Sequence, residues 1–423
     1  MIEWFISIIL GLFLYYLYFW KINIYKNFNV DDERGNKPFL KRKIKELPPV
    51  FPNGWFGLLR SFELAKGEVK YVTALGEHFA VFRTETGVVN VIDAFCPHLG
   101  ANFAKGGKVK GECIECPFHS WTFTGDGRCQ NIPYSSRALS GLQVKHWISQ
   151  EVNKIIFVWY HAESMDPDWQ VEPIPQIENE DWIYQGRNQF IVNCHVQEVP
   201  ENGSDWTHLD AVHVPAMFMD AIPSHLIRHA WDGTGWNPPK SSDDFFTKEF
   251  RNEDAAETNR SPSEPQESLN MIGIKNEKNV TTESLKHQAT FNLIHSIKIL
   301  NRFTFLRLNV NGAQIGPGYV VLHVESAFGP ICILETVTPI EPLLQHITHT
   351  IYSPFYLSPY TKIVFYGMGN MFERDIFIWN HKIFMKNPIL TKEEKRIAAF
   401  RRWFSQFYSP NSPTYKSVTS LEW

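Results

Sequence analysis

The sequence predicts an α+β fold in three parts. These are an N-terminal transmembrane helix over residues 1–21, an antiparallel β domain over 48–165, and a larger α+β domain over 170–423. The last is expected to be a helix-grip-like antiparallel sheet with helices packed on it. Three observations predict this. Residues Trp4 to Trp20 carry no charge. Short alternating runs punctuated by Gly76 and Gly87 follow Pro52. Longer strand-rich runs, Ile294–Val310 and Tyr319–Thr338, occupy the C-terminal half.

Composition bounds the answer. With 43% hydrophobic and 20% charged residues, the 423-residue chain is ordinary globular material. A disordered, collagenous or polytopic membrane protein is excluded. The net charge of −4 gives no basic field, so nucleic acid is not an expected partner. Six cysteines in this length do not make a disulfide scaffold. Four of the six fall between Cys96 and Cys129, and that clustering points to metal.

The N-terminal run Trp4–Trp20 would span about 26 Å as a helix, slightly short of a hydrocarbon core of about 30 Å. Trp4, Tyr15, Tyr16, Tyr18 and Trp20 suit its interfaces. A signal peptide would open on basic residues and close on a small-residue cleavage site; this chain opens Met-Ile-Glu and no A-x-A follows. Glu3 precedes the run, whereas Lys21, Lys26, Arg34 and Lys37 follow it. The positive-inside rule then makes a single-pass protein with its remaining domains in the cytosol. The Lys41-Arg42-Lys43 triplet reads as a lipid-facing patch, inside a polar linker over 22–47.

Within the β domain, strands are expected at Val69–Ala74, His78–Arg83 and Val88–Ala94. Pro167, Pro173 and Pro175 mark its end. In the larger domain, Ser241–Asn270 holds eight acids against three bases and reads as a flexible loop. Thr391 and Glu394 form a capping box ahead of an amphipathic helix through Ile397 to Tyr408. That helix is expected either to pack on the domain or to touch a membrane or partner.

Two constellations carry chemistry. Cys96-Pro97-His98 and Cys116-Pro117-Phe118-His119 give C-x-H, seventeen residues, then C-x-x-H. Each loop donates one thiolate and one imidazole. That suits a Rieske [2Fe–2S] centre, with two His on one iron and two Cys on the other. A zinc finger would instead group its Cys together and its His together. Cys113 reads as a strand residue. Further on, His208 and His213 follow Asn202 and Asp205. Two His with a carboxylate suit a facial mononuclear iron site. Asp375, entering an apolar run, is the expected third ligand, with Glu373 as the fallback.

After the N-terminal segment, the chain resembles the Rieske non-haem iron oxygenases across both domains. The resemblance implies that Cys96, His98, Cys116 and His119 bind one [2Fe–2S] cluster, and that His208, His213 and Asp375 bind one mononuclear Fe(II). It implies that Asp205 links a cluster imidazole of one subunit to an iron imidazole of the next, with Asn202 close to the iron, in a homotrimer. O2 and NAD(P)H, through an NAD(P)H-dependent reductase, are the implied co-substrates. The apolar N-terminus, the cluster loops and the Glu373-to-His381 run look most like Neverland-type cholesterol 7-desaturases. That likeness implies a sterol substrate, insertion of a 7,8 double bond to give 7-dehydrocholesterol, a role in steroid hormone synthesis, and an endoplasmic reticulum membrane. Met217 and Phe218 are candidate pocket residues. Two alternatives stay open: a steroid or lipid hydroxylase of the same family, and a membrane-anchored Rieske electron carrier without a second iron.

Overall fold

The computed structural model describes residues 2–28, 46–135, 141–215, 222–238, 245–250 and 285–420. Among the described residues, the smaller domain is built from three small sheets. One pairs Gly54–Arg60, Ser149–Val152 and Ile155–Tyr160. A second holds Val69–Ala74, as expected, with Glu77–Arg83 and Val89–Asp93 beside it. The third runs from Lys108 to Asn131 and carries the second cysteine loop. Phe79, Phe82, Phe103 and Phe123 are fully buried between them.

Among the described residues, the larger domain contributes one eight-stranded sheet. Its strands are β1 Ile22–Asn27, β2 Ile183–Val192, β3 Ile227–Asn237, β4 Gln288–Ile299, β5 Phe303–Ile315, β6 Tyr319–Ser326, β7 Gly329–Glu341 and β8 Leu344–Ser353. The spatial order is β1-β2-β8-β7-β6-β5-β4-β3. All neighbours are antiparallel except β1 and β2, which run parallel with Ile22 opposite Gly186. A Cβ at Gly186 would lie 2.2 Å from the Ile22 carbonyl oxygen, so glycine is what lets β1 dock. Residues 22–27 therefore form an edge strand where a linker was expected. Their sequence hides this, because an edge strand draws on backbone pairing more than on an apolar pattern.

Among the described residues, helices Ile2–Phe19, Thr207–Val212, Ser358–His381 and Lys395–Phe404 complete the arrangement. Helix α1, Ile2–Phe19, exposes its apolar side chains, from Trp4 at 78% to Leu14 at 45%. Its C-terminal end docks on the domain. Tyr18 and Phe19 lie 5.4 and 5.5 Å from the Phe355 ring. The Lys362 ammonium donates to the Leu17 carbonyl. The transmembrane expectation needs correcting here. Among the described residues, no helix is long and apolar enough to cross a membrane. The 18 residues of α1 rise about 27 Å, and Glu3 sits in the first turn.

Residues Thr207–Val212 form a short helix, α2. The long helix α3, Ser358–His381, packs across the sheet through Phe365, Ile376 and Trp379. Helix α4, Lys395–Phe404, buries Ile397, Phe400, Trp403 and Phe404, with Trp236 and Phe291 in the same cluster. Glu394 accepts from the Thr391 N–H at 2.8 Å, so half of the expected capping box forms. With its apolar side covered, α4 is a packed helix and offers no face to lipid.

Within the acidic stretch, the described residues form a short helix rather than a loop. Phe245–Glu249 is helical, and Phe245, Phe246 and Phe250 are buried beside Trp182. Glu249 pairs with His323 at 2.9 Å. The rest of Ser241–Asn270, the Lys41–Lys43 triplet, and Met217 and Phe218 lie outside the described residues.

Candidate metal centres

The two cysteine loops are one knuckle used twice. Cys96 N–H donates to Ala101 O at 2.8 Å, and Gly100 N–H donates to Cys96 O at 2.9 Å. In the second loop, Cys116 N–H donates to Trp121 O at 2.8 Å and Ser120 N–H to Cys116 O at 3.1 Å. Both loops turn a left-handed corner four residues after the cysteine, at Gly100 (φ 74°) and Ser120 (φ 56°). This folding brings the His98 and His119 rings to 4.7 Å. Trp121 stacks on His98 at 4.2 Å and fixes its plane. Cys96 and Cys116 are each 2% exposed. Burial, with Cys116 beside it, pushes the Cys96 thiol up to about 11. His119 Nδ1 is buried with no hydrogen-bond partner. Two buried thiols and an unsatisfied imidazole nitrogen fit a metal cluster that takes the thiols as thiolates. Cys113 lies on the strand Cys113–Glu115 and is not disulfide-bonded.

The second site joins α2 to α3. His213 Nε2 lies 3.2 Å and His208 Nε2 4.0 Å from Asp375 Oδ1. Two donors that share one metal at about 2.1 Å can be at most about 4.2 Å apart, so the three fit a single ion. His208 Nδ1 donates to the Asp205 carbonyl, which frees Nε2 to face Asp375. His213 follows Val212 at the frayed end of α2, where the ideal helical angle no longer holds the two rings apart. The fallback Glu373 points elsewhere, to Lys26 on β1. That is what residues two apart on a helix do.

Residues 54–148 match the family described as Rieske [2Fe-2S] domain. Residues 158–408 match the 3-Ketosteroid 9alpha-hydroxylase C-terminal domain. A cholesterol 7-desaturase of Drosophila melanogaster is 43% identical over 390 residues, covering 90% of this chain and 81% of that protein. The chain belongs to the cholesterol 7-desaturase family. Another member, from Ciona intestinalis, is 41% identical over 90% of this chain and 75% of its own length. The fold is also that of dicamba monooxygenase bound to 3,6-dichlorosalicylic acid. That structure superposes with a TM-score of 0.57 at 13% identity, over 85% of this chain and 98% of that one. The chain is a Rieske-type oxidoreductase.

Within this family member, the Asp205 carboxylate has a local task. It accepts from the Thr207 N–H at 3.1 Å and the His208 N–H at 3.3 Å, capping the start of α2. Asn202 sits one turn earlier, half-buried. Two features escaped sequence reasoning. Arg374 donates to the Val212 carbonyl at 3.3 Å and the Pro215 carbonyl at 3.0 Å, strapping the end of α2 to the helix that carries Asp375. His229 and His295 hydrogen-bond ring to ring at 2.6 Å, on neighbouring strands. Trp231 lies 4.5 Å from His295 and 6.3 Å from His213, so this polar pair flanks the site. Burial depresses His229 to about 4 and His295 to about 3, so both are neutral. The strap could have been suspected from an Arg beside the ligand; the pair had no sequence signal.

Proposed function

We propose that this chain desaturates cholesterol at C7–C8, giving 7-dehydrocholesterol, with O2 and electrons drawn from NAD(P)H through a reductase. The observation that carries this is the match to cholesterol 7-desaturases over nine-tenths of the chain, with the three-donor site inside it. Cys96, His98, Cys116 and His119 hold the cluster. His208, His213 and Asp375 would hold the iron, a donor set suited to O2 activation. Bound there, the iron supplies the oxygen activation that C–H oxidation needs.

The chain's own residues orient and exclude. The Asp205 carbonyl sets the His208 tautomer, and Arg374 holds the two ligand helices together. An apolar cluster between α3 and the sheet, including Leu308, Val324 and Phe365, keeps water from the approach. His295 stands opposite Leu308 in register, so the polar His pair borders that cluster. A sterol has one polar group, and we assign the His229–His295 pair to it.

In the trimer that this reading implies, the Asp205 carboxylate would join a neighbouring subunit's cluster site to this iron site. Leu99 and Phe118, exposed beside His98 and His119, form an apolar rim for that contact. Helix α1 holds the protein on the cytosolic side of the endoplasmic reticulum, since its bare apolar surface suits lipid and the sterol is dissolved there.

A second reading, steroid hydroxylation, is favoured by the match of residues 158–408 to the 3-ketosteroid hydroxylase domain. Reconstitution with a reductase and labelled cholesterol separates the two: 7-dehydrocholesterol is expected, and a hydroxysterol overturns the desaturase reading. Iron content separates both from a carrier, with about three irons per chain for an oxygenase and about two for a carrier.

A further inference from the structure

We propose that the end of the sheet where β3, β4 and β5 overhang β6 is a second membrane-inserting surface, whose tip enters the bilayer interface beside α1. The inference rests on the membrane reading of α1 and extends it to a separate part of the chain.

The overhang comes from the register. β5 begins pairing with β6 at Leu308, opposite Ser326. Phe303 to Arg307 project beyond that point, about 17 Å of strand at about 3.4 Å per residue. They pair back only with β4, and β4 in turn with β3. Nothing among the described residues covers the tip. Leu300 is 56% exposed, Phe303 58% and Phe305 74%.

The turn is chemically out of character for a water-facing hairpin. Leu300 (φ 53°) and Asn301 (φ 56°) form its two left-handed corners. Asn, Asp and Gly fill such corners at low steric cost; a leucine does not. A large apolar side chain therefore occupies the most projecting and most strained position. Natural edge ribbons are normally blunted with charge and polar residues instead.

The charges point to the same occupant. Lys298, Arg302 and Arg307 surround the aromatic tip, with Arg228 beside it on β3. No Asp or Glu occurs between Leu285 and Val324. The Arg302 guanidinium lies 5.5 Å from the Phe303 ring centroid, and Arg228 donates to the Asn301 side chain at 2.6 Å. Aromatic and leucine side chains ringed by arginine match the acyl-to-headgroup boundary of an anionic bilayer.

The tip also lies at the end of the molecule where α1 docks. Leu306 packs in the same cluster as Tyr360 of α3. Tyr360 lies 4.8 Å from Phe328 in the β6–β7 turn. Phe355, a few residues before Tyr360, holds the C-terminal end of α1. Exposed Phe328, Phe355 and Tyr356 thus continue an apolar band from α1 to the hairpin.

The test uses the full chain with single cysteines carrying an environment-sensitive fluorophore at Leu10, Asn301 or Lys66, read against the unsubstituted chain. Vesicles of phosphatidylcholine and phosphatidylserine contain a nitroxide-labelled lipid as quencher. Quenching at Leu10 and Asn301, but not at Lys66 in the smaller domain, is expected. Quenching at Leu10 alone overturns the hairpin proposal and leaves the membrane reading of α1 standing; quenching at neither removes both. A response at Asn301 to reductase, and not to vesicles, assigns the tip to a protein partner and also overturns it. The variant Phe303→Ser/Phe305→Ser should weaken vesicle binding roughly tenfold. Arg302→Gln and Arg307→Gln should each weaken it about fivefold on anionic vesicles and leave binding to neutral ones unchanged.

Discussion

At the cluster loops, each Cys arrives with its own His on one short knuckle, and all four residues fall within the 24 positions from Cys96 to His119. At the three-donor site, the imidazoles and the carboxylate come from helices 162 residues apart, held together by Arg374. The first cradle closes on its own backbone hydrogen bonds. The second exists only while α2 stays packed against α3. One fold thus holds a cradle that is nearly self-sufficient and another that depends on tertiary packing.

The largest test of that contrast is to empty each cradle separately. Cys116→Ser should abolish the g-anisotropic EPR signal of the reduced cluster and all product, while the three-donor site still takes up Fe(II). Asp375→Ala should lose the mononuclear iron and all product, while the cluster spectrum stays whole. Loss of both metals from either variant would show that the cradles are not independent.

Asp205→Asn comes next. Asn caps a helix about as well as Asp, so α2 and both metals should survive. If the carboxylate also joins the two centres between subunits, single-turnover product should fall by about a hundredfold. Unchanged product would leave Asp205 as a cap and nothing more.

Arg374→Met probes the tertiary dependence directly. It keeps an unbranched apolar stem, shorter than arginine, and removes the guanidinium bonds to Val212 and Pro215. Iron affinity should fall by about tenfold to a hundredfold, as for the loss of an outer support, with the cluster absorbance unchanged. Equal loss at both centres would break the comparison.

Acid should also divide them. Burial depresses His195 and His346, both in the larger domain, to about 4. In His195, Nδ1 accepts from the Gln197 N–H at 3.2 Å and Nε2 donates to Pro49 O at 3.2 Å, a pattern that needs the neutral ring. The folded pKa lies below the unfolded value, so the unfolded chain binds more protons. Stability is full above about pH 6.5 and falls as pH drops towards 4. Iron release from the three-donor site should therefore precede bleaching of the cluster in an acid titration.

The same contrast explains what could be read from sequence. The cluster loops were legible because ligand and turn residues are neighbours in the chain. Asp375 is preferred over Glu373 from its place in an apolar run, and the Glu373 pairing with Lys26 on β1 shows why the fallback faces away from the site. The Arg374 strap and the His229–His295 pair depend on which strands and helices meet, and no local pattern encodes that. β1 was hidden for a related reason: its docking is permitted by Gly186, far away in sequence.

Helix α3 carries Lys362, which holds α1, and Asp375, thirteen residues later. Those two positions are about 20 Å apart along a helix that does not bend at will. If α1 sits in lipid as proposed, that rod would fix the altitude of the reaction centre above the membrane. Lengthening or shortening it by one turn would move the oxidising atom past a whole ring of the sterol skeleton. On that proposal, the distance from the bilayer surface would help set which carbon is attacked, a form of regioselectivity written in helix length.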